Sequence, residues 1–307
     1  MVTAGVPQKN GVDHSTMFPY IITTDSTCDL PGEYIASAAG NLDIIPIPFT
    51  VADTTYYSHE EMKPHDFYDR MRAGEKPVTA QINLAEANGF FEKKIKDGYD
   101  ILHIAFSSAL SGTYQNMCMA ARELSEKYPE HTIRVIDSKS ASLGEGLLVH
   151  HALELKKSGL SLEDAAQQLE RDKLQLCHYF TVEDLIYLHR GGRVSKTAAV
   201  LGTMLSVKPV LHVDKEGRLI PLSKVRGRKQ SLKALVDGMG RTVGSVKNPI
   251  VFIGHGDSLE DAEYVRDMVK ERFGIQNFLI STINAVIGSH SGPGTIALFF
   301  FGEQREG

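Results

Sequence analysis

The densest run of chemistry-bearing side chains in this 307-residue sequence is Phe106-Ser107-Ser108-Ala109-Leu110-Ser111-Gly112-Thr113-Tyr114-Gln115. It lies between an apolar run at 101–106, read as a strand, and a helical pattern at 112–127. Ser111 falls at the expected N-cap, where free backbone N–H groups and the positive end of the helix dipole face outward. Gly112 lets a ligand approach the backbone closely. Such a turn at the carboxyl end of a parallel strand suits a carboxylate or a phosphate. The same spacing also suits a serine that only caps.

Other candidates are more isolated. Thr79-Ala80-Gln81 follows Pro77 and precedes a helix, so Thr79 is either a second hydroxyl in a binding loop or a turn residue. Asp25-Ser26-Thr27-Cys28-Asp29 closes the first strand at the same expected sheet edge as Ser111. There Ser26 or Asp29 is either a site residue or a cap. His290, between Gly288 and Gly294, reads as held in a loop of small residues that approaches a ligand or another part of the chain. His255, in Gly254-His255-Gly256-Asp257, reads as a turn histidine. Arg190, Arg193 and Lys196, with Arg226, Arg228 and Lys229 further on, form a basic group in an acidic chain. Such charges either face solvent or dock an acidic partner.

Several familiar motifs fail on inspection. Gly191-Gly192-Arg193-Val194-Ser195-Lys196-Thr197 lacks the glycine a phosphate loop places before its lysine. Gly144-Glu145-Gly146 opens a helix, but Val149 occupies the third glycine position of a dinucleotide fingerprint. Gly288-Ser289-His290-Ser291-Gly292 has the spacing of a nucleophile elbow with a histidine in the nucleophile's place. Cys28, Cys118 and Cys177 are dispersed and form no CxxC pair, which argues against a disulfide framework and a metal site.

The formal charge of −5 argues against non-specific contact with nucleic acid or anionic membrane. No apolar run approaches the ~18 residues of a membrane span. Residues 1–17 are polar and lack the apolar core of a signal peptide, so residues 1–18 read as a disordered leader and the protein as cytoplasmic.

Positioning these residues requires a scaffold, and the periodicity supplies one. Strands are expected at 20–24, 42–51, 101–106 and 132–137, with helices at 31–39, 64–72, 84–96, 112–127 and 143–157. Pro46 and Pro48 suit an edge or a bend within 42–51. This alternation predicts an N-terminal α/β/α domain with a mostly parallel sheet over residues 19–176. After a charged helix at 161–175 the texture changes. Strands at 178–182, 207–213, 219–225, 250–253, 278–283 and 295–301, with helices at 196–205 and 259–273, predict a C-terminal α+β domain with a mixed or antiparallel sheet over residues 177–307. Asp214-Lys215-Glu216-Gly217 marks a hairpin.

Taken in order, the segments resemble the DegV family of bacterial fatty-acid-binding proteins. The matching pieces are Ile22-Thr23-Thr24-Asp25-Ser26-Thr27-Cys28-Asp29-Leu30, Thr79-Ala80-Gln81, Ser108 to Gln115 and Val135-Ile136-Asp137-Ser138. They continue with Leu188-His189-Arg190-Gly191-Gly192-Arg193, Lys208-Pro209-Val210-Leu211 and Gly288-Ser289-His290-Ser291-Gly292-Pro293-Gly294-Thr295. The resemblance covers residues 20–302, as one unit. It implies a long-chain fatty acid between two domains, with no other cofactor, its carboxylate bound by Thr79 and Ser111. Gly112, Thr113, Ser26 and His290 would be head-group neighbours. Ala80 departs from the family's Thr-Ser-Gln and removes one hydroxyl.

The resemblance further implies a non-catalytic subunit that presents the carboxylate to a separate ATP-binding subunit, similar to dihydroxyacetone kinases, for conversion to acyl phosphate used in phospholipid synthesis. Arg190, Arg193 and Lys196 would dock that partner. Ten buried methylenes contribute roughly 8 kcal/mol gross, and the carboxylate must then be hydrogen-bonded. Val200, Leu201, Met204 and Leu205 are expected tunnel walls or core. The competing readings are a self-sufficient acyl hydrolase using Ser111 and His290, and a scaffold that uses the basic group to bind a protein.

Overall fold

The computed structural model describes residues 18–57, 61–195 and 206–305. The first half runs β1 (Tyr20–Asp25), a 3₁₀ turn (Ser26–Cys28), α1 (Gly32–Ser37), β2 (Leu42–Ile45), β3 (Phe49–Val51) and β4 (Thr54–Tyr56). It continues with α2 (Pro64–Arg72), β5 (Val78–Thr79), α3 (Leu84–Lys96), β6 (Asp100–Ala105), α4 (Thr113–Lys127), β7 (Ile133–Asp137), α5 (Leu143–Lys157) and α6 (Leu162–Asp172). Local chemistry explains the helix starts. Pro64 occupies the first turn of α2. Asn83 and Glu86 form a reciprocal capping box on α3. The Ser161 hydroxyl accepts from Asp164 N at 3.2 Å to open α6.

Four strands form a parallel sheet in the order β2-β1-β6-β7. Every residue of β1 and of β6 is buried, as a parallel sheet covered on both faces requires. The run expected as one strand at 42–51 is two. The Pro46-Ile47-Pro48 segment breaks the ladder, so β2 stays in the parallel sheet and β3 enters a small antiparallel sheet, β4-β3-β5.

The second half contains β8 (Leu176–Thr181), α7 (Ile186–Arg190), β9 (Val207–Val213), β10 (Leu219–Arg226), α8 (Arg228–Thr242), β11 (Val251–His255), α9 (Leu259–Phe273), β12 (Phe278–Thr282), α10 (Ala285–Ser291) and β13 (Ile296–Phe301). Its six-stranded sheet has the order β10-β9-β8-β13-β11-β12 and is mixed, only β11 and β12 being parallel. The last strand, β13, therefore lies between β8 and β11. Helix α8 was not expected from the sequence, and the loop expected around His290 is helix α10. Asn284 caps α10 by accepting from Val286 N and Ile287 N. The expected helix at 196–205 lies outside the described residues, as do residues 1–17 of the expected leader. Phe18 is described, its ring stacked on His131 at 4.0 Å.

Helix α5 is buried on nearly every side of its first half, from Leu143 to Val149, because it lies between the two large sheets. One apolar cluster joins Ile22 and Leu102 of the parallel sheet, Leu147 and Leu148 of α5, and Phe180, Phe252 and Phe299 of the mixed sheet. The glycines of Gly144-Glu145-Gly146 serve this packing. A Cβ on Gly146 would meet Cys28 O at 2.5 Å, and one on Gly144 would meet His178 Nε2 at 2.3 Å. Among the described residues no helix is long and apolar enough to cross a membrane.

Candidate functional site

Strand β5 pairs with β3, Thr79 opposite Phe49, and so holds Thr79 at the edge of a polar cleft. The cleft measures about 720 Å³ and is lined by Thr79, Gln81, Ser108, Ser111, Gly112 and Arg193 among others. Helix α4 begins at its wall. The N-cap residue is Gly112 rather than Ser111, yet the Ser111 hydroxyl still caps by accepting from Thr113 N at 3.2 Å. Ser111 also donates to Thr113 Oγ1 at 3.1 Å. Thr113 itself is fully buried, its oxygen accepting from Ile82 N at 3.3 Å, so it fastens the strand-to-helix turn to α4 and is absent from the cleft lining. Gly112 makes room chiefly for Gln81, whose Oε1 would lie 2.2 Å from an added Cβ.

Helix α10 brings His290 across to Thr79, with Nε2 2.8 Å from the Thr79 hydroxyl oxygen. Burial, reinforced by the nearby Arg193 charge, pulls the imidazole down to about 4, so it is neutral at pH 7. The other ring nitrogen packs on Gly191, where an added Cβ would approach Nδ1 to 2.1 Å. Gly191, the first glycine of the run that imitates a phosphate loop, therefore seats a histidine. No hydrogen bond joins Ser111 to His290, so the nucleophile–base pair a hydrolase needs is not formed.

Arg193, expected with Arg190 on a docking face, instead turns inward. Its Nε donates to Leu110 O at 3.2 Å and its Nη1 to Gly191 O. Among the described residues no carboxylate pairs with it, and burial lowers its pKa from the ordinary guanidinium value. Arg190 remains exposed, stacked on Tyr187 at 5.4 Å. Lys196, with Val200, Leu201, Met204 and Leu205, lies outside the described residues. Arg228 is tied to Glu183 and Asp261. His255, expected in a turn, is instead the last residue of β11, and its Nδ1 accepts from Ser258 N at 3.2 Å across the turn that follows.

Behind the cleft lies a second, apolar cavity of about 70 Å³. Leu110 and Arg193 belong to both walls, and Phe106, Phe180, Leu188, Val213 and Phe299 continue inward. A polar mouth thus opens onto a greasy interior, with one cation at the junction. Ser26 is set apart from both. Its hydroxyl accepts from Ile47 N at 2.9 Å, and it lines a separate cavity of about 390 Å³ with Ile35, Phe49 and Val286.

A buried acid cluster underpins this arrangement, and the sequence reading missed it as a unit. Asp25 accepts from Thr27 and from Phe106 N, holding the strand that leads to Ser111. Asp29 accepts from Ser142 and from Asn284 N, which fixes the start of α10 and hence His290. Glu145 accepts from the Thr24 and Thr27 hydroxyls at 2.8 Å each. Burial raises all of them, Asp29 to about 7. The available signal was Asp25 at the end of a buried strand and Glu145 within the otherwise uncharged stretch 143–149 that opens α5.

A family model described as "Uncharacterised protein, DegV family" matches residues 20–303. The chain belongs to the DegV family. A DegV domain-containing protein of Clostridium perfringens is 41% identical over 292 residues, covering 94% of this chain and all (100%) of that protein. A DegV family protein from Thermus thermophilus, whose structure is described as fatty acid binding, superposes with a TM-score of 0.80 at 28% identity, over 92% of this chain and 99% of that one. DegV from Bacillus subtilis, described as a fatty acid binding protein, gives 0.78 at 28% identity, over 93% and 100%. The DegV fold is thus the one the ordered motifs implied.

Proposed function

We propose that this chain binds one long-chain fatty acid, its carboxylate in the polar cleft at Thr79 and Ser111 and its tail in the apolar cavity behind Leu110. The observation that carries the reading is the junction of those two spaces at a half-buried arginine without an acidic partner among the described residues. An amphipathic ligand with an anionic head fits such a junction, and the fatty acid binding described for the Thermus thermophilus and Bacillus subtilis relatives supports it. The head group would receive hydrogen bonds from hydroxyls and from the amino end of α4, with Arg193 supplying charge. Ser26 and Thr113 have no direct part in this site.

The tail cavity of about 70 Å³ holds several waters but not a whole acyl chain, so entry must part the lining side chains. The carboxylate would face the open cleft, where a separate ATP-binding subunit could reach it. Attack by a carboxylate oxygen on the γ-phosphorus, with ADP leaving, would give the acyl phosphate. This chain contributes binding and orientation, consistent with its lack of a phosphate loop in the sequence.

The test is to denature the purified protein, extract it with organic solvent and assay fatty acids by mass spectrometry. One fatty acid per chain is expected. A protein that yields none and also refuses added oleate and palmitate would overturn the reading.

A further inference from the structure

His178 on β8 is 2% exposed, and among the described residues neither of its ring nitrogens has a hydrogen-bond partner. It lines the apolar cavity together with Phe106 and Phe299, and the Phe299 ring lies edge-on to it at 5.4 Å. Burial drives the imidazole well below its ordinary pKa, so it is a neutral ring with one N–H and one lone pair. Buried polar atoms are rarely left in this state. Phe or Leu would fill the same place without an orphaned donor.

The ring's setting indicates which atom awaits a partner. Gly144 packs against the Nε2–Cδ2 edge, where an added Cβ would come within 2.3 Å of Nε2. That leaves Nδ1 as the ring nitrogen clear of this contact, covered by the apolar lining until an entering chain parts it. His178 is also remote from the head group. It lies three residues along β8 from Thr181, which pairs with Ile296 just after the α10 turn. At ~3.3 Å per residue this is about 10 Å deeper than the end of the cavity that Ser291 and His290 line. A partner at that depth meets the middle of a chain rather than its carboxyl end.

We propose that His178 selects fatty acids that carry an oxygen substituent, a hydroxyl or an oxo group, in mid-chain. The Nδ1–H tautomer donates to that oxygen, and the lone pair is left on Nε2 against Gly144. A plain hydrocarbon tail fills the same space but leaves the donor unpaired. This inference rests on the fatty-acid reading above and specifies the ligand class of that site.

The experiment compares stearate with a set of stearates hydroxylated singly along the mid-chain, by competition for the wild-type protein and for His178→Phe. Wild type should favour at least one hydroxylated isomer by roughly 10- to 100-fold, the range expected for a buried donor gaining its partner. His178→Phe should lose that preference, read as the ratio of the two affinities within that protein. If wild type binds stearate and every hydroxylated isomer alike, or favours stearate, His178 is satisfied otherwise and the inference falls while fatty acid binding stands. If His178→Phe keeps the preference, another group reads the oxygen and the inference again falls. If no fatty acid binds either protein, the reading beneath it fails too.

Discussion

Thr79 serves a carboxylate as donor only if its own proton is not already given to His290. The neutral imidazole resolves this when Nε2 carries the hydrogen, because the ring then donates to Thr79 and frees the hydroxyl proton for the ligand. Replacing Thr79 and Ser111 together by alanine should weaken fatty acid binding by about 2–4 kcal/mol in a titration, and unchanged affinity would remove the site from these residues. Arg193→Gln should cost ~1.5–3 kcal/mol by the same measurement, from the lost charged donor. The buried acids give a pH signature. Asp29 rises from 3.8 to about 7 on burial, so the folded state holds its proton more tightly than the unfolded. Its contribution to stability is complete below the unfolded value and is lost as pH rises through the folded one. Denaturation at pH 5 and pH 8 should therefore show Asp29→Asn gaining on wild type at the higher pH, by ~1.36 kcal/mol per pH unit up to about pH 7 and no further above it. His290, lowered from 6.5 to about 4, has the opposite sign and erodes stability as pH falls. Ser111 was legible as a candidate because it precedes Gly112 at a strand-to-helix turn, whereas Thr79 stood out only through the family resemblance. Arg193 was misplaced because a run of cations in sequence looks like surface, and only the turn at Gly191-Gly192 shows it pointing in.

At the scale of elements, the boundaries that sequence periodicity located well are those with an explicit chemical stop. Helices α2, α3, α5 and α9 begin and end where the pattern placed them. Helix α8 escaped notice because Gly238 and Gly240 interrupt its interior. Gly238 is there to admit Tyr179, whose Cδ1 would lie 2.6 Å from an added Cβ. Helix α10 was read as a loop for a related reason. Gly288 weakens its helical signal while clearing space for the Tyr68 hydroxyl, 2.5 Å from an added Cβ. In both cases packing outweighs intrinsic propensity. Helix α5 makes the sharpest prediction. Gly146→Ala sets a methyl group 2.5 Å from the Cys28 carbonyl oxygen, a backbone atom that cannot rotate away. It should destabilise the protein by ~1–3 kcal/mol in chemical denaturation. Gly159→Ala, with open space around it but a φ of +91°, tests backbone strain alone by the same measurement.

For the whole molecule, the alternation of strands and helices and the hairpin Asp214-Lys215-Glu216-Gly217 made the two sheets foreseeable. What could not be read was the order of strands in the second sheet, because strand neighbours far apart in sequence leave no local trace. The exposed Arg190 at the end of α7 remains the candidate contact for a kinase subunit. Arg190→Glu should impair acyl phosphate formation in a reconstituted pair while fatty acid binding is unchanged, and full coupling would place the contact elsewhere. Arg193 does not serve this test, since reversing its charge would strike the proposed ligand site.

The central position of β13 has a bearing on biosynthesis. A chain emerging amino end first can complete the parallel sheet early, but β8 and β11 wait with open edges until residues 296–301 arrive to bridge them. For that interval the nascent protein carries two unpaired strand edges, each able to recruit the wrong partner. The ribosome, by keeping successive copies apart until the closing strand is released, supplies a protection that refolding from denaturant at high concentration does not.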